Sequence, residues 1–90
     1  MKIILKLYVT GHSTRSERAI VQLQRICTTH LADRYELEIV DVLEHPDLAE
    51  KEKILATPTL IRLVPPPSVR IVGDLSDEHA VLHQLDIGVS

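Results

Sequence analysis

Aromatic residues are scarce in this 90-residue chain, which has no tryptophan, no phenylalanine and only Tyr8 and Tyr35. Proteins that bind single-stranded nucleic acid stack the bases on aromatic rings, so this scarcity argues against that class. Basic residues are outnumbered ten to thirteen by acidic ones, and the resulting net charge of −3 disfavours a general nucleic-acid-binding role. With 44% hydrophobic residues, the chain can still form a core, and that core must be aliphatic.

Cysteine occurs once, as Cys27, which excludes an intramolecular disulfide framework. The three glycines are too far apart to form a phosphate-binding loop. No apolar run approaches the roughly 20 residues that a membrane-spanning helix needs, and Met1-Lys2-Ile3 leads directly into an alternating segment without a signal peptide. We therefore expect a cytoplasmic protein without a membrane partner, forming one domain over residues 1–90.

The first half of the chain predicts a β-α-β unit. Residues 2–9 alternate apolar and polar side chains and predict a strand. Residues 14–31 carry one apolar stripe at three- and four-residue steps and predict a helix. Ser13 or Thr14 can cap this helix, and Thr14 with Glu17 fits a capping box. Tyr35–Val42 predicts a second strand, apolar on both faces at its end as in a covered sheet, and parallel to the first.

The second half predicts smaller elements. In order, these are a short helix from Pro46, a strand over residues 60–64 after the Thr57-Pro58 step, a hairpin partner over 69–72 and a last helix capped by Ser76. The whole is a layered α/β domain of order βαβαββα, the order of thioredoxin-like folds.

No catalytic or metal-binding pattern emerges from the sequence. A thioredoxin has Cys-x-x-Cys at the start of its first helix, where this chain has His12-Ser13-Thr14-Arg15, so dithiol chemistry is excluded. Cys27 falls on the apolar stripe and is expected to pack as a small hydrophobe. His79 and His83 share one helix face, but no third ligand lies at metal-binding spacing. We expect no enzyme activity, no metal and no cofactor.

Three segments resemble the KaiB family of circadian clock proteins. They are Leu5–Gly11 with Ser16 and Arg18-Ala19, then Asp41-Val42-Leu43 with Pro46 and Leu48-Ala49-Glu50, and finally Lys53–Leu60 followed by Pro65-Pro66-Pro67 and Gly73–Ser76. The triple proline after Ala-Thr-Pro-Thr is the most specific of these features. The resemblance covers residues 2 to about 87, which is nearly the whole chain.

The resemblance implies a non-enzymatic protein that binds the ATPase ring of KaiC. There, KaiB helps to sequester KaiA and competes with a thioredoxin-like sensor kinase domain. The family also switches fold. Its free form is typically a homotetramer with the C-terminal topology βαββααβ, and its partner-bound form is a thioredoxin-like monomer.

The resemblance also assigns candidate residues. Glu36, Glu38, Glu50 and Lys53 match the KaiC-facing surface, and Arg18 lies on the side that resembles the KaiA-facing surface. Structural or fold-switching roles fall to the residues that match the C-terminal half of the family pattern, namely Pro58, Pro65, Pro66, Pro67, Gln84 and Asp86.

The chain also departs from the clock members. These tend to have a small residue and a lysine where this chain has Glu36 and Glu38, and a glycine where it has Gln84. The acidic C-terminal extension is missing after Ser90. We therefore expect a divergent paralogue that pairs with its own KaiC-like protein.

The end of the chain carries two overlapping periodicities. Leu75, Val81, Leu82 and Leu85 suit one side of a helix, whereas Leu85, Ile87 and Val89 alternate as in a strand. Conflicting local signals are unfavourable for a single deep folding funnel, although short apolar runs are often ambiguous. The alternative function is the thioredoxin-like input domain of a histidine kinase. A thioredoxin- or glutathione-dependent enzyme is a further alternative, against which the missing Cys-x-x-Cys argues.

Overall fold

A computed structural model describes residues 2–86 and has the predicted element order. The elements are β1 (Ile3–Val9), α1 (Thr14–His30), β2 (Tyr35–Asp41), α2 (Pro46–Lys51), β3 (Thr59–Val64), β4 (Val69–Val72) and α3 (Glu78–Gln84). The sheet order is β2-β1-β3-β4, with β2 parallel to β1, and with β3 antiparallel to both β1 and β4. The predicted thioredoxin-like order is confirmed over these residues.

The strand β1 divides the apolar side chains between two cores. Its odd-numbered residues face α1 and α3 and belong to the larger core. The members of that core are Leu5, Leu7, Val9, Ala19, Leu23, Ile26, Cys27, Leu31, Leu60, Ile71, Leu75, Val81, Leu82 and Leu85. On the other face, Tyr8 forms a smaller core with Val40 and Ile61. Leu48 and Ile54, from α2 and the segment after it, pack against this second core.

The strand β2 lies at the edge of the sheet, and its end, which was expected to be covered on both faces, is well buried on one face only. Its neighbour β1 pairs with β3 on the other side, and β2 therefore has one partner only among the described strands. Val40 is buried, but Ile39 is 38% exposed. The strand also ends at Asp41, one residue earlier than predicted.

The helix caps differ from two predictions. Ser13 is the N-cap of α1, and its Oγ accepts a hydrogen bond from the Ser16 backbone N–H at 3.1 Å. No Thr14–Glu17 capping box forms, because the cap lies one residue earlier and places Ser16 at the third helical position. The buried Ser16 hydroxyl donates to the Thr10 carbonyl at 3.0 Å, which ties α1 to the end of β1.

The last helix, α3, is capped by Asp77 and not by Ser76. The Asp77 Oδ1 accepts from the Ala80 N–H at 3.1 Å, while the Ser76 hydroxyl is engaged by Asp74. Gln84 is the last residue of α3. The alternating pattern of Leu85, Ile87 and Val89 extends beyond the described residues.

Asp41 joins the loops that follow the two parallel strands. Its Oδ1 accepts hydrogen bonds from the backbone N–H of Gly11 at 3.0 Å and of Leu43 at 2.9 Å. These two bonds, that from Gly11 foremost, lower the pKa of the carboxyl below its usual 3.8. The charged carboxylate therefore stabilises the folded state.

We expect an Asp41→Asn variant to be less stable than the wild type at neutral pH and to lose less stability in acid. Because the folded-state pKa is lowered, the contribution of Asp41 is fully present above the unfolded value of 3.8 and disappears as the pH falls through the folded-state pKa. Urea unfolding between pH 7 and pH 2.5 measures this effect. Asp33→Asn, at an exposed position in the loop after α1, is the control. A stability gap between wild type and Asp41→Asn that stays constant down to pH 2.5 would contradict this assignment.

Candidate functional site

The α2 side of the sheet brings together four of the sequence-predicted residues. Glu36 and Glu38 lie on β2, on the same face as the buried Val40, because alternate residues of a strand share a face. Glu50 lies on α2, which packs over the other end of this face, and Lys53 follows shortly after α2. All four side chains are exposed. The sequence-based grouping is thus compatible with a single surface.

Lys53 and the end of α2 are held by an arginine from the opposite edge of the sheet. Arg70, on β4, donates from its guanidinium to the carbonyls of Glu52 at 2.8 Å and Lys53 at 3.1 Å. A cation at the C-terminus of a helix satisfies carbonyls that lack intrahelical partners. The backbone of Lys53 has a positive φ of 55°, so the chain turns sharply there. This contact of Arg70 was not predicted from the sequence.

Lys2, immediately before β1, and Lys6, on β1, accompany the two glutamates of β2. Lys2 Nζ lies 3.1 Å from Glu36 Oε1, and Lys6 Nζ lies 3.6 Å from Glu38 Oε1. The parallel register places Lys6 directly opposite Glu38. Neither lysine was singled out from the sequence, although the predicted parallel pairing of the two strands contained the signal.

Arg18 lies apart from these residues. It is on α1, which covers the opposite face of the sheet. With Arg15, Pro58, Asp74 and Leu75, it lines an open cleft of about 860 Å³ between α1 and the β4–α3 loop. The hydrogen bonds from Ser76 lower the pKa of Asp74, and the charges of the two arginines contribute less.

The proline residues lie at both ends of β3. Pro58 is buried immediately before β3, and Pro65, Pro66 and Pro67 follow its last residue, in the β3–β4 connection. The prolines leave few freely rotating bonds in either connection.

Arg62 is a buried cation that the sequence analysis missed. It is 4% exposed and lies on the face of β3 that contributes to the larger core. It donates to the Pro67 carbonyl at 2.9 Å and to the Leu85 carbonyl. It thus joins the triple-proline connection to the end of α3. Asp86 follows with a φ of 53°, the left-handed conformation that commonly ends a helix. The alternation of β3 places Arg62 on the same face as Leu60, which was the available signal.

The position of a thioredoxin dithiol has no reactive thiol here. His12, Ser13, Thr14 and Arg15 occupy the β1–α1 turn and the first helical residues. Cys27 is fully buried, and burial raises the pKa of its thiol to about 11, which disfavours the thiolate. Between residues 2 and 86, the side chains of His, Cys, Asp and Glu form no cluster of three or more that could hold a metal ion. Over the same range, no helix has the length and apolar character to span a bilayer.

Solved structures with the same architecture include the N-terminal domain of SasA from Synechococcus elongatus. It superposes with a TM-score of 0.77 over 100% of this chain and 90% of that domain, at 22% identity. Mitochondrial thioredoxin 3 from Saccharomyces cerevisiae superposes with a TM-score of 0.74 over 94% of this chain and 77% of that one, at 15% identity. These similarities show the thioredoxin-like fold.

Sequence comparison shows the family. The KaiB domain model matches residues 6–87. Circadian clock protein KaiB3 of Synechocystis sp. is 55% identical over 86 residues, which cover 96% of this chain and 84% of that protein. The clock oscillator protein KaiB of Prochlorococcus marinus is 52% identical over 84 residues, covering 93% of this chain and 72% of that protein. The chain therefore belongs to the KaiB family of circadian clock proteins.

Proposed function

We propose that this chain is a non-enzymatic regulator that docks on the ATPase ring of a KaiC-family protein and alters its phosphorylation cycle, in circadian or stress-type timing. The match of the KaiB domain to residues 6–87 carries the proposal, because the family resemblance implies this partner. The buried Cys27, the one cysteine of the chain, offers no accessible nucleophile for a thiol-based reaction.

The docking surface is the α2 side of the sheet. Glu36 and Glu38 lie on its edge strand, and Glu50 and Lys53 lie on and after α2. Arg70 anchors the end of α2 to β4, so this part of the surface keeps its shape when a partner binds. A surface that is already ordered loses little conformational entropy on binding.

A second partner would meet a different face. Arg18 and the cleft beside it lie on the α1 side of the sheet, so KaiA bound there would leave the α2 side accessible. The two faces are separated by the sheet itself. We infer that one chain can contact the ATPase ring and a second protein together.

The first test is association with a co-encoded KaiC homologue. We expect the purified chain to bind it in at least one phosphorylation state. We expect Lys53→Gln to weaken binding about tenfold, the loss of a residue that belongs to the minority of interface positions worth more than about 1 kcal/mol. Biolayer interferometry measures both affinities. Arg25→Gln, an exposed cation on α1, is the matched control and should bind like the wild type. A wild-type chain that binds no KaiC homologue in either phosphorylation state would refute the proposed function.

The helix α3 is the element that we propose to change in the alternative KaiB topology, in which the free chain forms a homo-oligomer. Its buried residues are Val81 and Leu82, and Leu85 follows as the C-cap. Within residues 2–86, polar contacts of this region include the Arg62 bond to the Leu85 carbonyl and the approach of His30 Nε2 to Glu78 Oε2 at 3.5 Å. Two conformations must lie within a few kcal/mol of each other to interconvert. Small changes at the end of α3 should therefore shift their populations.

Two glycine substitutions should shift this equilibrium in opposite directions. Gln84→Gly places glycine at the last helical residue and should destabilise the thioredoxin-like form by up to about 1 kcal/mol. Asp86→Gly places glycine at a φ of 53°, which it adopts without strain, and should stabilise the same form by roughly 0.5–1 kcal/mol. NMR spectra of the free variants measure the populations, and light scattering measures their oligomeric state. Equal populations in the two variants would argue against a switch at α3.

A further inference from the structure

The exposed charges of the open sheet face are ordered in two rows. Lys2, immediately before β1, and Lys6, on β1, form a cationic row, and Glu36 and Glu38 form an anionic row along β2. Adjacent strands lie about 4.8 Å apart, and side chains on one face repeat about every 6.6 Å along a strand. The parallel register fixes the rows relative to each other, because Lys6 pairs with Glu38 and Ile4 pairs with Glu36.

This part of the face is not covered by the protein's own helix. The six-residue α2 reaches the second core, where Leu48 packs near Tyr8 and Val40. The charged rows remain accessible, since the side chains of Lys2, Glu36 and Glu38 are 56%, 57% and 63% exposed. Lys6 is 28% exposed, so its stem packs on the sheet while its ammonium group reaches the surface.

The ion pairs contribute little to folding, and their charged groups retain free hydrogen-bonding positions for a partner. Exposed pairs of this kind are weak because water screens them. The Lys6–Glu38 distance of 3.6 Å exceeds that of a hydrogen bond, and the 3.1 Å contact of Lys2 uses one oxygen of Glu36. Each carboxylate can therefore accept further donors from a docked protein, and each ammonium can donate to a further acceptor.

We propose that these two rows determine which ATPase ring the chain accepts. The matching surface carries a cationic row that meets Glu36 and Glu38, beside an anionic row that meets Lys2 and Lys6. This inference rests on the proposed function and adds the chemistry of its partner. A surface with the opposite arrangement brings like charges together on both rows, which excludes it even where its shape is the same.

The decisive experiment exchanges the two charges of the Lys6–Glu38 pair without removing the pair. The double variant Lys6→Glu/Glu38→Lys keeps an ion pair at the same place and leaves the net charge unchanged. We expect its thermal unfolding midpoint to match that of the wild type and its affinity for the KaiC homologue to fall at least tenfold. The matched control, Lys6→Met/Glu38→Gln, removes both charges. It should lose less affinity than the reversed variant, and its association rate should depend less on salt than that of the wild type.

The outcomes separate the two proposals. Wild-type binding with equal affinity in the reversed variant overturns the charge-row inference and leaves the proposed function intact. A wild-type chain that binds no KaiC homologue overturns both. Where the reversed variant does not fold, the neutral variant decides. If its affinity and the salt dependence of its association rate equal those of the wild type, the partner does not recognise the charged rows.

Discussion

The alternation of β1 is the constraint on which the structure depends. Leu5, Leu7 and Val9 enter the larger core, while Tyr8 enters the smaller one. β1 is also paired on both sides, with β2 and β3. A one-residue shift in its register would exchange its two faces and would remove the apolar side chains from both cores. The positions of α1 on one side and α2 on the other follow from this single strand.

The two faces of the sheet are covered unequally, and that inequality locates the candidate surface. On one side, the 17-residue α1 and the later α3 bury a continuous aliphatic core. On the other side, the six-residue α2 covers only the part around Tyr8, Val40 and Ile61. The uncovered part is made soluble by charged residues on β1 and β2, which also protects the edge strand β2 from pairing with another sheet. The charged residues that hydrate this face of the sheet thus also provide the pattern that a partner can recognise.

Much of this fold follows from short-range sequence patterns. The features that were not predicted depend on contacts between distant parts of the chain. The helix α1 and the strand β1 were predicted because each carries a long periodic pattern. The sequence allowed either Ser13 or Thr14 as the N-cap of α1. The structure has Ser13, and Ser16, which donates to this cap, is itself held by the Thr10 carbonyl outside the helix. The edge position of β2 depends on which strand β3 joins, and no local pattern contains that information. Arg62 resembled an exposed residue in sequence, because its acceptors, the carbonyls of Pro67 and Leu85, come from later parts of the chain.

The location of the proposed switch follows from the same architecture. The β1-α1-β2 unit is closed by local connections and by the Asp41 bonds to Gly11 and Leu43, whereas the later elements join it through the β1–β3 pairing and the two cores. The α3 helix is only seven residues long, and helices of this length depend on tertiary contacts for their stability. Those contacts come partly from a buried cation, Arg62, whose bonds to backbone carbonyls compensate for only part of the cost of its burial. An alternative packing of the chain end can compete if it buries as much apolar surface as Val81, Leu82 and Leu85 bury here. A change confined to the chain after β3 would leave the charged residues beside β1 and β2 in position.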